Sequence, residues 1–298
     1  MHATTVCAIR FATLMLATQL FKAPTAEAQA VPPAVRVAGA GPQTYVLLSG
    51  LVGGVGGFRR LETRLVNAGN RVVTIDPYQL AIDSTVVSFH TMARMVDAEL
   101  EARGITDAII IGHSHGGGVA LRLAANAPKR AAALFLLDVG ALPSNRTTVL
   151  SSAIRLVPII ARIPTGKTLI RHRLAEGLRE NSASREWLDH ATCRGYTEPV
   201  IDNVDRVVAM ALRLSKADEP EPVEQVVRRI VAPITVLLGS VRTKSGPSDH
   251  ELHALEQFIG RVRIETIHGA GHFPHEEAPD EVARRISRPL IALGSPLQ

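Results

Sequence analysis

Cysteine is scarce in this sequence. Only Cys7 and Cys193 occur among its 298 residues, and Cys7 lies in an N-terminal stretch that we expect to be removed. One remaining cysteine cannot form an internal disulfide, so a disulfide-stabilised scaffold is excluded. The folded chain must therefore be held together by a hydrophobic core.

Aromatic residues are also few, at 4% of the chain. Because proteins that bind single-stranded nucleic acid stack its bases on aromatic side chains, the net charge of +5 does not indicate a nucleic-acid partner. Hydrophobic residues make up 46% and charged residues 20%, which is typical of a globular protein rather than a disordered one. The length allows one large domain or two small ones.

The sequence also lacks an apolar run long enough to span a membrane. The run from Phe11 to Phe21 follows Arg10 and is too short for a stable span. Further on, Ala28-Gln29-Ala30 has the small-x-small form of a signal-peptidase site. The two features predict a signal peptide over residues 1–30, cleaved after Ala30, and a secreted or periplasmic protein. A mis-assigned start codon is the alternative, and in either case the segment is left out of the fold.

Strand-like and helix-like segments alternate along the rest of the chain. Residues 31–44 are expected to form an extended arm or a first edge strand, and buried strands follow at 45–48, 71–75, 108–111, 132–137, 234–238 and 263–267. Helical periods separate most of these strands, which predicts a mostly parallel sheet. Between about Gly140 and Val231, by contrast, only helical periods occur.

The most informative stretch, residues 109–120, reads Ile-Ile-Ile-Gly-His-Ser-His-Gly-Gly-Gly-Val-Ala. A strand of branched residues breaks at a serine between two glycines, and a helical period follows. Gly112 and Gly116 stand two residues on either side of Ser114, where a sharp turn would bring a Cβ into contact with backbone. This strand–turn–helix pattern resembles the nucleophile elbow of the α/β-hydrolase family.

The resemblance covers about residues 40–295 and implies the rest of the architecture. It implies an α/β-hydrolase fold, a mostly parallel sheet flanked by helices, with residues 31–139 and 232–298 as the core. Residues 140–231 would be an inserted helical cap. Ser114 would be the catalytic nucleophile, and His272, in the loop after the last strand, would be the base that activates it.

The acid of the expected triad departs from the family's commonest pattern. The family usually carries an aspartate after the penultimate strand, where this chain has Gly239-Ser240-Val241-Arg242. Two candidates remain. Asp138 follows the strand after the elbow helix, at the active-site edge of the sheet, and Asp249 opens a predicted helix where N-capping explains it equally well. We favour Asp138, because a triad depends on geometry more than on chain order.

The oxyanion hole is expected to use the backbone N–H groups of Leu51 and His115. Leu51 lies in a glycine-rich loop that begins Ser49-Gly50, where the family commonly has His-Gly. The same loop invites a dinucleotide-binding interpretation in which Asp76 would bind the ribose. The fingerprint that starts at Gly54 requires glycine at position 59, which is Arg59, so this alternative is weak.

A metal site at His272, His275 and Glu276 is a further alternative. Pro274 stands between the two histidines and opposes a helix that would place both imidazoles on one face. We therefore expect neither a metal nor a cofactor.

The predicted cap is basic and apolar near its start. Between Ser151 and Glu180 the sequence contains six basic residues and two glutamates. Apolar residues, among them Leu156, Ile159 and Ile163, are interleaved with them. One interpretation is a lid for a lipid-like substrate, whose cations face an anionic surface and which associates with a membrane surface. The other is an ordinary amphipathic cap that packs on the core.

The sequence as a whole predicts a serine hydrolase of the esterase or lipase type that acts on a small, apolar carboxylic ester. The alternatives are hydrolysis of an amide, lactone or carbon–carbon bond, and a non-catalytic binding protein on the same scaffold. The residues indicate no oligomeric state.

Overall fold

Seven strands form one sheet. They are β1 (Val35–Ala38), β2 (Thr44–Leu48), β3 (Arg71–Ile75), β4 (Ala108–His113), β5 (Ala131–Leu137), β6 (Ile234–Gly239) and β7 (Val262–Ile267). Their order across the sheet is β1-β3-β2-β4-β5-β6-β7. Strand β1 pairs antiparallel with β3 at one edge, and all other pairs are parallel. The predicted mostly parallel sheet is thereby confirmed, and residues 35–38 form an edge strand.

The computed structural model of the chain describes residues 33–139, 152–249, 257 and 262–288. The predicted signal peptide lies outside these residues. None of the helices among the described residues is long and apolar enough to cross a membrane.

Helices cover both faces of the sheet. They are α1 (Arg59–Asn67), α2 (Pro77–Leu80), α3 (Phe89–Ala102), α4 (His115–Asn126), α5 (Val157–Arg162), α6 (Gly166–Glu180), α7 (His190–Asp202), α8 (Val204–Leu214), α9 (Val223–Arg229), α10 (Pro274–Glu277) and α11 (Pro279–Ile286). Short 3-10 turns occur at Gly54–Gly56, Pro128–Arg130 and Ser152–Leu156.

The central strands are apolar on both faces because helices cover both. Successive side chains of β2 alternate between two cores: Val46 and Leu48 pack on one side of the sheet, and Tyr45 and Leu47 on the other. Every residue of β4 is buried. This arrangement holds the carboxyl ends of β4 and β5 rigidly at one edge, where the candidate site lies.

A helical insertion, which we define as residues 152–229, separates β5 from β6. It contains α5 to α9 and no strand among its residues. Leu178, Trp187 and Tyr196 of the insertion form a small apolar cluster with Phe273, which follows β7. The insertion therefore packs directly against the segment that carries His272.

Candidate active site

Ser114 occupies the sharp turn between β4 and α4. Its backbone has φ +50° and ψ −126°, a left-handed conformation that is strained for any residue except glycine. The Ser114 N–H donates to the carbonyl of Leu137 at 3.1 Å, and its own carbonyl accepts from the Gly117 N–H at 2.9 Å. Strand β5 and helix α4 thus hold the strained serine in place.

The two glycines that flank the serine have no room for a side chain. A Cβ at Gly112 would lie 2.6 Å from the Cα of Gly117, and one at Gly116 would lie 2.3 Å from the carbonyl oxygen of Leu48. Real Cβ atoms do not approach backbone this closely. The steric reason inferred from the sequence for these glycines agrees with the structure.

Asp138 and His272 lie in hydrogen-bond contact. The distance between Asp138 Oδ2 and His272 Nδ1 is 2.7 Å, and both side chains are 6% exposed. The other carboxylate oxygen, Oδ1, accepts from the Gly239 N–H at 3.2 Å. Asp138 directly follows β5 and has φ +46°, in the left-handed region that favours glycine.

Asp249 lies elsewhere. Its side chain is 90% exposed and forms an ion pair with Arg242. The structure therefore brings Asp138, and not Asp249, to the imidazole of His272.

His113 links the elbow to the histidine loop, which we define as residues 268–273. Burial, reinforced by the neighbouring His275 and His272, holds the pKa of His113 well below its usual value, so its ring is neutral. Its Nε2 lies 2.8 Å from the carbonyl oxygen of His272, and because a carbonyl can only accept, Nε2 carries the proton. The two rings lie 4.9 Å apart between centroids. This contact places the loop next to the residue that precedes Ser114.

The glycine-rich loop after β2 passes beside the serine. A Cβ on Gly50 would lie 3.2 Å from Ser114 Cβ. Leu51, the next residue, is the one whose N–H is expected to stabilise the oxyanion. His115 is the first residue of α4, where a backbone N–H has no partner within the helix. Burial lowers the pKa of the His115 imidazole to about 4, so its ring adds no charge at neutral pH.

Asp76, the residue on which a dinucleotide interpretation depends, caps a helix. Its Oδ1 accepts from the N–H groups of Tyr78 at 2.9 Å and Gln79 at 3.1 Å, at the start of α2. This carboxylate thus has a structural role at the turn after β3.

His275 and Glu276 are fully buried behind the histidine loop. Burial lowers the pKa of His275 to about 3 and raises that of Glu276 to about 8, so both side chains are uncharged at neutral pH. His275 packs against Phe58 and His113, with ring centroids 4.6 and 4.3 Å away. Within the described residues no three His, Cys, Asp or Glu side chains are grouped as metal ligands.

Sequence reasoning missed Glu277 and Asn181. Glu277 accepts four backbone hydrogen bonds, two from the histidine loop and two from the helical insertion. The carbonyl of Asn181, at the end of α6, accepts from the His272 N–H at 2.9 Å. Neither residue belongs to a motif that we identified, because their partners are backbone groups, and the contacts that join the insertion to the histidine loop and to Glu277 are distant in sequence.

The chain is similar to known proteins in sequence and in fold. A family model described as "Alpha/beta hydrolase family" matches residues 45–285. The sn-1-specific diacylglycerol lipase ABHD11 of Mus musculus is 25% identical over 79% of this chain and 77% of its own length. Esterase YbfF of Escherichia coli is 26% identical over 82% of this chain and 92% of its own. The crystal structure of a putative lipase from Acinetobacter baumannii shares the fold, with a TM-score of 0.66 and 20% identity over 87% of each chain.

Proposed function

Because the chain belongs to the alpha/beta hydrolase family, we propose that it hydrolyses a carboxylic ester through Ser114, His272 and Asp138. The observation that carries the proposal is the buried 2.7 Å contact between Asp138 and His272 at the same sheet edge as the strained serine. Ser114 follows β4, Asp138 follows β5 and His272 follows β7. The carboxyl ends of parallel strands are where active sites of open α/β sheets lie.

The proposed reaction begins with proton transfer. Since Asp138 accepts from Nδ1 of His272, the other ring nitrogen, Nε2, carries the lone pair that removes the proton from Ser114 Oγ. Oγ attacks the carbonyl carbon of the ester and gives a tetrahedral oxyanion, which the N–H groups of Leu51 and His115 stabilise. His272 returns the proton to the departing alcohol, leaving an acyl group on Ser114.

Water completes the proposed cycle. His272 removes a proton from a water molecule, and the resulting hydroxide attacks the acyl carbon. Collapse of the second tetrahedral intermediate releases the carboxylic acid and restores the serine hydroxyl. The buried Asp138 carboxylate stabilises the imidazolium that forms in each half-reaction.

The substrate class is inferred from the relatives. The mouse relative is named a diacylglycerol lipase and the E. coli relative an esterase, so an apolar carboxylic ester is the substrate that they favour. We propose that the helical insertion is part of a cap over residues 140–231. We also propose that residues 1–30 form a secretory signal, which N-terminal sequencing of the exported protein would test.

The experiment that tests the proposed function is hydrolysis of a p-nitrophenyl ester series from acetate to palmitate. We expect the wild type to turn over these esters and Ser114→Ala to lose at least about 10³-fold in kcat. A fluorophosphonate probe should label the wild type and leave Ser114→Ala unlabelled. A folded wild type that neither hydrolyses an ester nor reacts with the probe would contradict the proposal and favour a binding role for this fold.

A further inference from the structure

Four large apolar side chains are exposed close together at the start of the helical insertion. Leu156, Ile159, Ile163 and Leu169 are between 52% and 62% exposed. Leu156 ends the 3-10 turn before α5, Ile159 lies in α5, and Ile163 directly follows it. Leu169 lies near the start of α6, which packs against α5. Gly166 makes the tight connection possible, since a Cβ there would meet the carbonyl oxygen of Ile160. We call residues 155–169 the apolar tip.

Three of the exposed side chains lie on or directly beside α5. Leu156 and Ile159 stand three residues apart, which is the spacing of one helix face, and Ile163 is the residue at which the backbone leaves the helix, with ψ 152°. Val157 and Ile160, on the other side, are only partly exposed. An amphipathic cap that merely packed on the core would bury the first set as well. Clustered exposed apolar residues typically mark an interaction surface.

The tip's own sequence carries charge of one sign. Residues 152–170 contain Arg155, Arg162 and Lys167 and no aspartate or glutamate. Arg162 is paired with Asp205 of α8, while Arg155 and Lys167 are exposed and have no ion-pair partner within the described residues. A partner that covers this surface must therefore accept apolar side chains and carry negative charge.

We propose that the apolar tip docks on the surface of an anionic phospholipid bilayer. Leu156, Ile159 and Ile163 enter the boundary between headgroups and acyl chains, and Arg155 and Lys167 meet lipid phosphates. A short amphipathic helix with cations at its edge binds membranes in this way without crossing them. The inference goes beyond the proposed ester hydrolysis, because it concerns where the protein works.

Co-sedimentation with lipid vesicles tests the proposal. The full-length chain is mixed with vesicles of phosphatidylcholine alone or of phosphatidylcholine with phosphatidylglycerol. We expect binding that requires phosphatidylglycerol and weakens as salt is raised. The double variant Ile159→Asp/Ile163→Asp should bind at least roughly ten-fold more weakly, because it loses two apolar side chains that enter the bilayer when the tip docks.

The matched control is Val86→Asp/Val231→Asp, which changes two exposed valines outside the tip. It should bind vesicles like the wild type. Absence of binding by the wild type, or equal loss in both double variants, would overturn the proposal. So would a wild-type dimer that Ile159→Asp/Ile163→Asp dissociates, since the tip would then bind a second copy.

Hydrolysis of p-nitrophenyl acetate, which needs no membrane, separates this proposal from the proposed function. It should be the same in wild type and in Ile159→Asp/Ile163→Asp, and equal thermal melting shows that the variant is folded. If the wild type binds vesicles as expected and hydrolyses nothing, only the proposed function fails.

A second inference rests on an independent observation, the hydrogen bonds of Glu277. One carboxylate oxygen accepts from the N–H groups of Gly271 at 2.9 Å and Phe273 at 3.3 Å, which flank His272. The other accepts from Ala183 at 2.7 Å and Ser184 at 2.9 Å in the helical insertion. The N–H of His272 itself donates to the carbonyl of Asn181. Glu277 thus holds the backbone on both sides of His272, and the insertion holds the N–H of His272 itself.

We infer that Glu277 is a positioning residue that fixes His272 relative to Ser114, an inference that rests on the proposed role of His272. Hydrogen bonds to a carboxylate are roughly twice as strong as those between neutral groups. Glu277→Gln has one acceptor oxygen and an amide group that cannot accept, so it loses one of the two pairs of contacts.

Kinetics and NMR test this role together. Glu277→Gln should lower kcat about ten-fold or more with little change in KM, because a misplaced base slows chemistry rather than binding. Glu277→Asp should recover part of kcat, since it keeps the charge. The low-field Nδ1 proton of His272, assigned by its loss in His272→Gln, should shift or broaden in Glu277→Gln.

Glu186→Gln is the control, because Glu186 is an exposed glutamate of the same insertion whose carboxylate makes no hydrogen bond or ion pair among the described residues. It should leave both readouts unchanged. An unaltered His272 proton in Glu277→Gln would overturn the inference whether or not the protein hydrolyses esters. Loss of stability in Glu277→Gln with an unchanged kcat would also overturn it, since the role would then be structural.

Discussion

Glu276 is a buried carboxyl group without a hydrogen-bond partner for either oxygen among the described residues. Burial raises its pKa to about 8, far above the value near 4.5 that it has when the chain is unfolded. Between these values the folded state binds a proton that the unfolded state has lost. The free energy of unfolding therefore falls as the pH rises from about 4.5 to 8, and the loss is complete above pH 8.

Glu276→Gln should remove this pH dependence. The amide is close in shape to the protonated acid and does not ionise, so Tm should match that of the wild type near pH 5. By pH 9 the variant should melt several degrees above the wild type, each kcal/mol being worth roughly 2–4 °C for a chain of this size. Calorimetry at both pH values measures the difference. A constant difference in Tm across this range would show that Glu276 is ionised in the folded protein.

The candidate site could be predicted from sequence where a residue belongs to a local pattern. Ser114 stands in a motif of five residues, and His272 follows the last strand. Asp138 was only one of two candidates, because its place beside the imidazole depends on how β5 and β7 lie in the sheet. Glu277 was beyond prediction, since its four partners are amide groups that no sequence pattern identifies.

At the scale of elements, the strands were predicted to within one or two residues. The reason is physical: β2, β4 and β5 are buried on both faces, so each is a continuous apolar run bounded by polar or glycine residues. Helix α3 begins at Phe89, and Ser88 caps it by accepting from the Thr91 N–H at 3.1 Å. Buried apolar runs and helix caps are local features, so they can be predicted from the sequence.

The helical insertion shows what local patterns do not determine. The absence of strands from the insertion could be predicted from the sequence. The periodicity of its apolar residues, however, does not show which apolar face of a helix is exposed to solvent. Another unpredicted contact ties the insertion to the elbow helix: Arg122 of α4, almost fully buried, pairs with Glu219 at 2.8 Å. Glu219 also accepts from the Phe89 N–H at 2.7 Å, so it joins α3 and α4. Such contacts depend on tertiary packing.

At the scale of the whole molecule, the sheet brings together groups that are far apart in the chain. Ser114 and Asp138 follow neighbouring strands, and 134 residues separate Asp138 from its partner His272. The family's commonest chain order places the acid after the penultimate strand, yet in this fold the carboxylate at the end of β5 reaches the same imidazole. The proposed mechanism therefore requires Asp138 as the acid.

The most direct test compares kcat/KM for ester hydrolysis in Asp138→Asn and Asp249→Asn. An asparagine at 138 would donate to Nδ1 of His272 and hold the imidazole in the wrong tautomer, a change that costs about 10⁴-fold in a serine protease triad. We expect a loss of this order for Asp138→Asn and less than about a two-fold change for Asp249→Asn, whose side chain is exposed. A severe loss in Asp249→Asn, or full activity in Asp138→Asn, would contradict the account.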